Sequence, residues 1–415
     1  MRVRPLPAAA LVFASCGPAS SPPAAPSPSS SLSPSSSSAR TFDDDLRLLQ
    51  ADGPVDVLET PASANAGGRI AVSARWQGRV MTSAVEPHGA SLGFVHRAFL
   101  EQHKVGTAFD NPGGEDRFWL GPEAGPFGLY FPPGAPFTIA AWQVPHSMQE
   151  GAWDVRSRDA SHMTLARTMH VVNWSRAEFD VAVERTVRVL SAADVTSRFG
   201  VAPAGGVKWV AFETVNRITN AGARAWTPDT GLLSIWILGM YAPAADARVL
   251  VPFDPAGTGP IVNDAYFGKV PPDRLVVHEG EGWLSLVADG KHRSKIGLGP
   301  TRARDSLGSY SPSARQLTLV RTVRPQAAPH GYVNSLWEAQ RDPYAGDVVN
   351  SYNDGPIEPG KPSLGGFYEI ETSSPAAALA PGESIEHAQV TLHAIGDAAL
   401  LEPLAKAVLG VGLGE

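Results

Sequence analysis

The sequence predicts an all-β protein, built as one large antiparallel sandwich with a few short helices. Three observations carry that prediction. Alternating or β-branched runs recur along the body of the chain, and Gly, Pro, Asn and Asp cluster between most of them. Only three segments carry apolar residues at helical spacing. The runs are 69–76, 79–85, 137–144, 163–174, 179–190, 208–218, 232–240, 248–253, 283–288, 316–323, 367–372 and 386–394. The helical segments are 43–50, 92–103 and 398–409. At least twelve strands in about 375 residues exceed a simple seven-to-nine-strand sandwich, and no break in composition divides two domains. No motif recurs at a fixed period, which argues against a propeller.

The first residues have a different character. Arg2 and Arg4 precede a short apolar stretch from Ala8 to Ala14, then small residues and Cys16, the pattern of an export signal. That stretch is far shorter than the roughly 18 to 20 residues of a spanning helix, and no other segment reaches that length, so no transmembrane helix is expected. Phe13-Ala14-Ser15-Cys16 resembles the lipobox of bacterial lipoproteins, with Phe13 where Leu is usual. The resemblance implies cleavage before Cys16 and diacylation of its sulfur, giving a stable lipid anchor. Cys16 is the only cysteine in 415 residues, so no disulfide can form within the chain and the core must hold the fold. Residues 17–40 are almost entirely Ser, Pro and Ala, too poor in apolar surface to offset the entropy of ordering, and read as a spacer.

The sequence thus divides into a signal at 1–15, a lipidated cysteine with its tether at 16–40, and a single domain at 41–415. The expected location is the cell envelope, through the lipid anchor alone. By the same resemblance, Gly17 in place of a retention Asp points to the outer membrane, on its periplasmic or surface face. Of 34 basic residues, loss of Arg2 and Arg4 leaves 32 against 41 acidic ones, a net charge of −9, which makes nucleic acid a poor partner. The oligomeric state is open.

The stretch from Gly365 to Pro375 carries the clearest chemistry. Side chains alternate along a strand, so Glu369 and Glu371 share one face while Tyr368, Ile370 and Thr372 take the other. If the Ile370 face is the core, both acids project into solvent or a cleft; an exposed strand face is the plain alternative. A second cluster, 113–123, sets Glu115, Asp116, Arg117, Trp119 and Glu123 among glycines. It suits either a loop that lets a polyhydroxylated ligand approach the backbone or a turn with a surface ion pair. In 289–295, which reads as a strand start, Lys291, Arg293 and Lys295 fall on one face, where like charges need solvent or an acidic partner; Glu369 and Glu371 fit that partner. The segment 350–356 follows Trp337 and offers Tyr352, Asn353 and Asp354, although Asn-Asp-Gly-Pro is by itself a turn signal.

Other chemistries find no footing. There is no Gly-x-Ser-x-Gly elbow, no His-Glu-x-x-His helix and no phosphate loop, and the eleven histidines are scattered without ligand spacing. His170, within an apolar strand pattern, reads as a core or surface residue. No cofactor and no metal are expected.

The segments 78–83, 114–123, 231–236, 295–297, 350–356 and 368–375 resemble an uncharacterised family of exported bacterial proteins in the galactose mutarotase-like superfamily. The similarity runs from about Gly68 to Gly396. It implies a large antiparallel supersandwich. Aldose 1-epimerases of that superfamily carry their catalytic base in a Leu-Glu-Thr strand, and Ile370-Glu371-Thr372 is similar to it, followed by a Pro-Gly-Glu turn at 381–383. The resemblance therefore implies Glu371 as base. Those enzymes also use a histidine acid, but 220–240 contains no histidine, and ring opening needs an acid as well as a base.

The expectation is a carbohydrate-active protein, an isomerase if catalytic, with Glu371 as base and Lys295, Arg293 or a water in place of the histidine. The sugar would be held by Glu369, Arg79, Glu115, Arg117, Trp119, Glu123, Lys291, Arg293, Trp337, Tyr352, Asn353 and Asp354. A glycosidase or lyase on the same scaffold, a non-catalytic carbohydrate-binding lipoprotein, and an envelope scaffold without ligand are the alternatives.

Overall fold

The computed structural model describes residues 40–60, 68–102, 104–149, 151–358 and 360–414, and from Arg40 onward these belong to one compact unit. The signal, the lipobox with Cys16 and the tether up to residue 39 lie outside the described residues.

Strands dominate, and every pairing between the named strands is antiparallel. The largest sheet has ten strands, in the order Leu275–His278, Trp283–Val287, Arg248–Pro252, Ser306–Ser311, Gln316–Thr322, Ser384–Ile395, Lys208–Asn220, Glu178–Val189, His162–Val172 and Asp154–Arg158. A five-stranded sheet packs against it, in the order Ser294–Leu298, Val349–Asn353, Tyr368–Ser373, Ser234–Tyr241 and Arg117–Gly121. A three-stranded sheet of Asp56–Glu59, Arg69–Ser73 and Arg79–Ala84 completes the set.

The long strand Glu178–Val189 alternates buried and more exposed residues along most of its length, as a sheet wet on one face requires. Its buried Val181 and Val183 join Leu165, Val210 and Phe212 against Phe118, Leu120, Ile235 and Ile237 of the smaller sheet. At the other end of the sandwich, Val249, Val251, Leu284, Leu286 and Leu307 meet Ile296, Leu298, Val349 and Ile370. The smaller sheet is buried on both sides; Tyr368–Ser373 and Ser234–Tyr241 have no exposed residue. Outside the large sheet, the helix Ala398–Leu409 lays Leu401, Leu404 and Leu409 over Trp209, Leu317 and Leu319. The helix Phe42–Asp52 opens with a capping box between Thr41 and Asp44 and covers the small sheet through Phe42 and Leu49. Among the described residues no helix is long and apolar enough to cross a membrane.

Two expected elements differ. The segment 137–144 is a turn-rich loop: Pro132, Pro133, Pro136 and Pro145 surround it, and Ala141 and Trp142 donate their N–H groups back to the Thr138 carbonyl instead of to a neighbouring strand. The helix expected at 92–103 is confined to Arg97–Gln102, because Gly93 and Val95 bridge to Tyr241 and Gly113. Several short strands went unread, among them Arg117–Gly121 and Val349–Asn353, since five residues give too little alternation to recognise.

Candidate functional site

Register across the five-stranded sheet decides which side chains share its outer face. One rung runs Lys295, Tyr352, Glu369, Met240; the next runs Gly297, Asn350, Glu371, Leu238, Arg117; the third runs Ser373, Trp236, Trp119. Ile296, Ile370, Ile237 and Phe118 take the opposite face and pack on the large sheet. The alternation expected at Glu369 and Glu371 is therefore the one observed, with Ile370 in the core.

Two crossed ion pairs tie these rungs together. Arg117 Nη2 donates to Glu369 Oε1 at 2.8 Å, and Lys295 Nζ donates to Glu371 Oε2 at 2.9 Å. All four side chains are buried, Glu371 completely and Glu369 to 6 % exposure. Trp236 Nε1 donates to the same Glu371 oxygen at 2.9 Å, while Glu371 Oε1 has no partner. Burial alone would pull the Lys295 ammonium down, but Glu371 and Glu123 outweigh it and hold its pKa above the ordinary value. Burial pushes the Glu369 carboxyl up to about 8; Arg117 opposes that shift and Glu371 adds to it. Burial also raises Glu123, against Lys295 and the Trp142 indole N–H, which donates to Glu123 Oε1 at 2.8 Å.

Above this face lies a cavity of about 500 Å³ of empty space, counting the part open to solvent. It forms a slot over the outer face of the five-stranded sheet. Aromatic rings wall it: Trp119, Trp142, Trp236, Trp337, Phe267 and Tyr352. Cations are stacked on these rings. The Arg117 guanidinium lies 3.8 Å from the Trp119 centroid, Arg293 lies 3.7 Å from Phe267, and Lys295 Nζ lies 4.6 Å from Trp236. Cations seated over aromatic rings in a slot suit a ring-shaped, polyhydroxylated ligand, which has apolar faces and polar edges. Among the described residues no group of three or more His, Cys, Asp or Glu is placed to hold a metal ion.

The structure brings together Arg117, Trp119, Glu123, Arg293, Lys295, Trp337, Tyr352 and Glu369 as lining residues, with Glu371 bonded to two of the lining side chains. It sets the other candidates apart. Glu115 faces the large sheet and meets His393 Nε2 at 2.6 Å. Arg79 is buried with its guanidinium on the Gly113 carbonyl and Gln77 Oε1. That contact accounts for one glycine of the 113–123 cluster, since a Cβ on Gly114 would stand 2.3 Å from Arg79 Cδ. Lys291 is exposed, because the strand begins only at Ser294 and the three cations do not share a face. Asn353 and Asp354 organise the neighbouring loops: Asn353 accepts from Gly290 N and donates to the His292 carbonyl, and Asp354 accepts from Tyr352 Oη and Gly366 N. Trp142, Trp236 and Phe267 were not among the candidates. A search centred on charge passes over them, although a tryptophan in each of two predicted strand runs was a usable signal.

Residues 40–415 match the model of a family described as "Family of unknown function (DUF6786)", and the chain belongs to that family. No curated protein matches the sequence. Among solved structures, the chain is similar to an Escherichia coli K12 protein provisionally described as an aldose 1-epimerase, at 13 % identity and a TM-score of 0.46, covering 82 % of this chain and 99 % of that one. A galactose mutarotase-like protein from Lactobacillus casei gives 11 % identity and a TM-score of 0.45, over 82 % and 100 % of the two chains. A galactose mutarotase related enzyme from Lactobacillus acidophilus gives 7 % and 0.43, over 82 % and 97 %.

Proposed function

We propose that this chain is a carbohydrate-active protein whose cavity seats one pyranose ring over the Glu369 and Glu371 face, with Glu371 as general base. One observation carries the reading: beneath an aromatic-walled slot, a fully buried carboxylate has one oxygen fixed by Lys295 and Trp236 and the other without a partner.

The reaction we infer is anomeric epimerisation. Glu371 takes the proton of the anomeric hydroxyl, the bond between C1 and the ring oxygen breaks, and a proton is delivered to that oxygen; closure on the other face reverses each transfer. Among the described residues no histidine lines the cavity. Glu369 is the group suited to give the proton, since a carboxyl pushed up to about 8 keeps one at neutral pH. Lys295, held protonated, fixes the orientation of Glu371 rather than giving up a proton itself.

A non-catalytic sugar-binding role is the second reading, favoured by the fact that both carboxylates already hold a cation, as gripping rather than reacting groups do. Incubating the full chain with a glycan panel and analysing products separates the two. An altered sugar supports the enzyme; a bound but unaltered sugar supports the binder; a panel with neither removes both. The envelope location is likewise a proposal, supported by Arg2, Arg4, the apolar stretch and Cys16. Cys16→Ser should leave the protein in the soluble part of the export compartment, and membrane partitioning equal to the parent's would end that reading.

A further inference from the structure

We infer that the pyranose taken by this cavity carries a carboxylate, and that Arg293 is the residue that recognises it. The inference rests on the sugar-site reading above and narrows its substrate class. Three cations line the slot, and two of them already meet an acidic side chain of the chain itself: Arg117 donates to Glu369 and Lys295 to Glu371. Among the described residues Arg293 has no carboxylate within ion-pair distance, and its Nε is buried without an acceptor. Its guanidinium is nevertheless fixed in place, 3.7 Å from the Phe267 ring centroid and 5.6 Å from that of Trp337. The acid of the adjoining loop is already in use: Asp354 accepts from Tyr352 Oη at 2.9 Å and from Gly366 N at 2.8 Å.

A guanidinium over an aromatic ring, with the Tyr352 hydroxyl as its side-chain partner, no carboxylate paired to it and Nε unpartnered, is organised for a planar two-oxygen anion. The other orphaned polar atoms point the same way. Among the described residues at the slot, Arg117 Nε and Trp119 Nε1 are donors without partners and Glu371 Oε1 an acceptor without one, so a fitting ligand brings more acceptors than donors. A uronate does so, and the two oxygens of its planar carboxylate match the edge of a guanidinium.

The test is isothermal titration of the full chain with matched pairs: glucuronate and glucose, galacturonate and galactose, mannuronate and mannose, with glucose 6-phosphate and glucose 6-sulfate as further arms. One uronate should bind about 10- to 100-fold more tightly than its neutral partner, the range that one charge-assisted hydrogen-bonded contact supplies. Arg293→Gln should erase that difference, and added salt should weaken the uronate of the parent protein while leaving the neutral sugar alone. The salt arm stands even where the variant fails to fold. Equal affinity within every pair, a preference that survives Arg293→Gln, or tighter binding of the phosphate or sulfate overturns the carboxylate assignment while the sugar site stands. Failure of every sugar to bind overturns both.

Discussion

Asp116 and Arg117 are neighbours in sequence, and each belongs to a buried arginine–carboxylate pair, yet the two pairs differ in how completely they are satisfied. Asp116 faces the large sheet. Its partner Arg185 uses Nε on the Gly78 carbonyl, Nη1 on Asn216 Oδ1 and Nη2 on Asp116, and the second Asp116 oxygen accepts from Thr214 and Gln389. Arg117 faces the cavity with one strong bond, to Glu369, a long contact to Met240 Sδ at 3.9 Å, and Nε unpartnered. A buried charge with every donor and acceptor used holds two sheets in register. One with spare capacity beside an open slot is arranged for something else to arrive.

Breaking each pair should expose that difference. Asp116→Ala leaves Arg185 as an uncompensated charge between the sheets and should cost about 3–5 kcal/mol of stability, read from the urea midpoint. Arg117→Met should cost only about 1–2 kcal/mol, because Glu369, with its carboxyl pushed up to about 8, stands protonated at neutral pH and not as a bare charge. Its main effect should be loss of sugar affinity. Equal destabilisation by the two substitutions would show that the cavity pair is structural too.

The inner face offers a second contrast, in acid. His387 meets Thr372 Oγ1 at 2.7 Å on the side opposite Glu371, and burial lowers its pKa from the ordinary 6.5 to about 4. The unfolded chain therefore binds this proton first. His387 stabilises the fold above pH 6.5, and its contribution is lost as the pH falls through 4, a loss of about 3 kcal/mol by linkage. His387→Gln should flatten that part of the stability curve, and parallel curves for parent and variant would refute the assignment. On the cavity face the sign is reversed. Glu369 has a raised pKa and acts in its protonated form, so any turnover should fall as the pH rises through about 8, by about tenfold for each further unit. A rate that climbs through the same window would remove Glu369 as the acid.

The same pairs show what was legible in the sequence and what was not. Period-two alternation placed Glu369 and Glu371 together because a strand allows no other arrangement for residues two apart. The 113–123 cluster was read as one unit, but a strand that begins at Arg117 sends Arg117 and Trp119 outward, while Glu115 and Asp116 just before it reach the large sheet. Arg79 and the glycine beside it serve that inner packing, and composition carries no sign of which way they turn. Pairing Arg117 with Glu369 spans 252 residues and depends on register, which nothing local encodes. Trp142 reaches the slot from a segment read as a strand, where prolines impose a loop.

The central claim is that Glu371 acts as a base on a bound sugar, and the most direct measurement follows the anomeric proton signals of a freshly dissolved pure anomer by NMR, for each sugar that titration shows to bind. With the parent protein the approach to anomeric equilibrium should be faster than in buffer. With Glu371→Gln, which keeps the shape and removes the charge, that acceleration should fall by at least about 10²-fold, the lower end of what a positioned base contributes, while the sugar still binds; the variant's unfolding transition, lowered by the loss of the Lys295 pair, shows that it is folded where the rates are read. An acceleration retained by Glu371→Gln, or a bound sugar whose anomers the parent protein leaves at the buffer rate, would contradict the account.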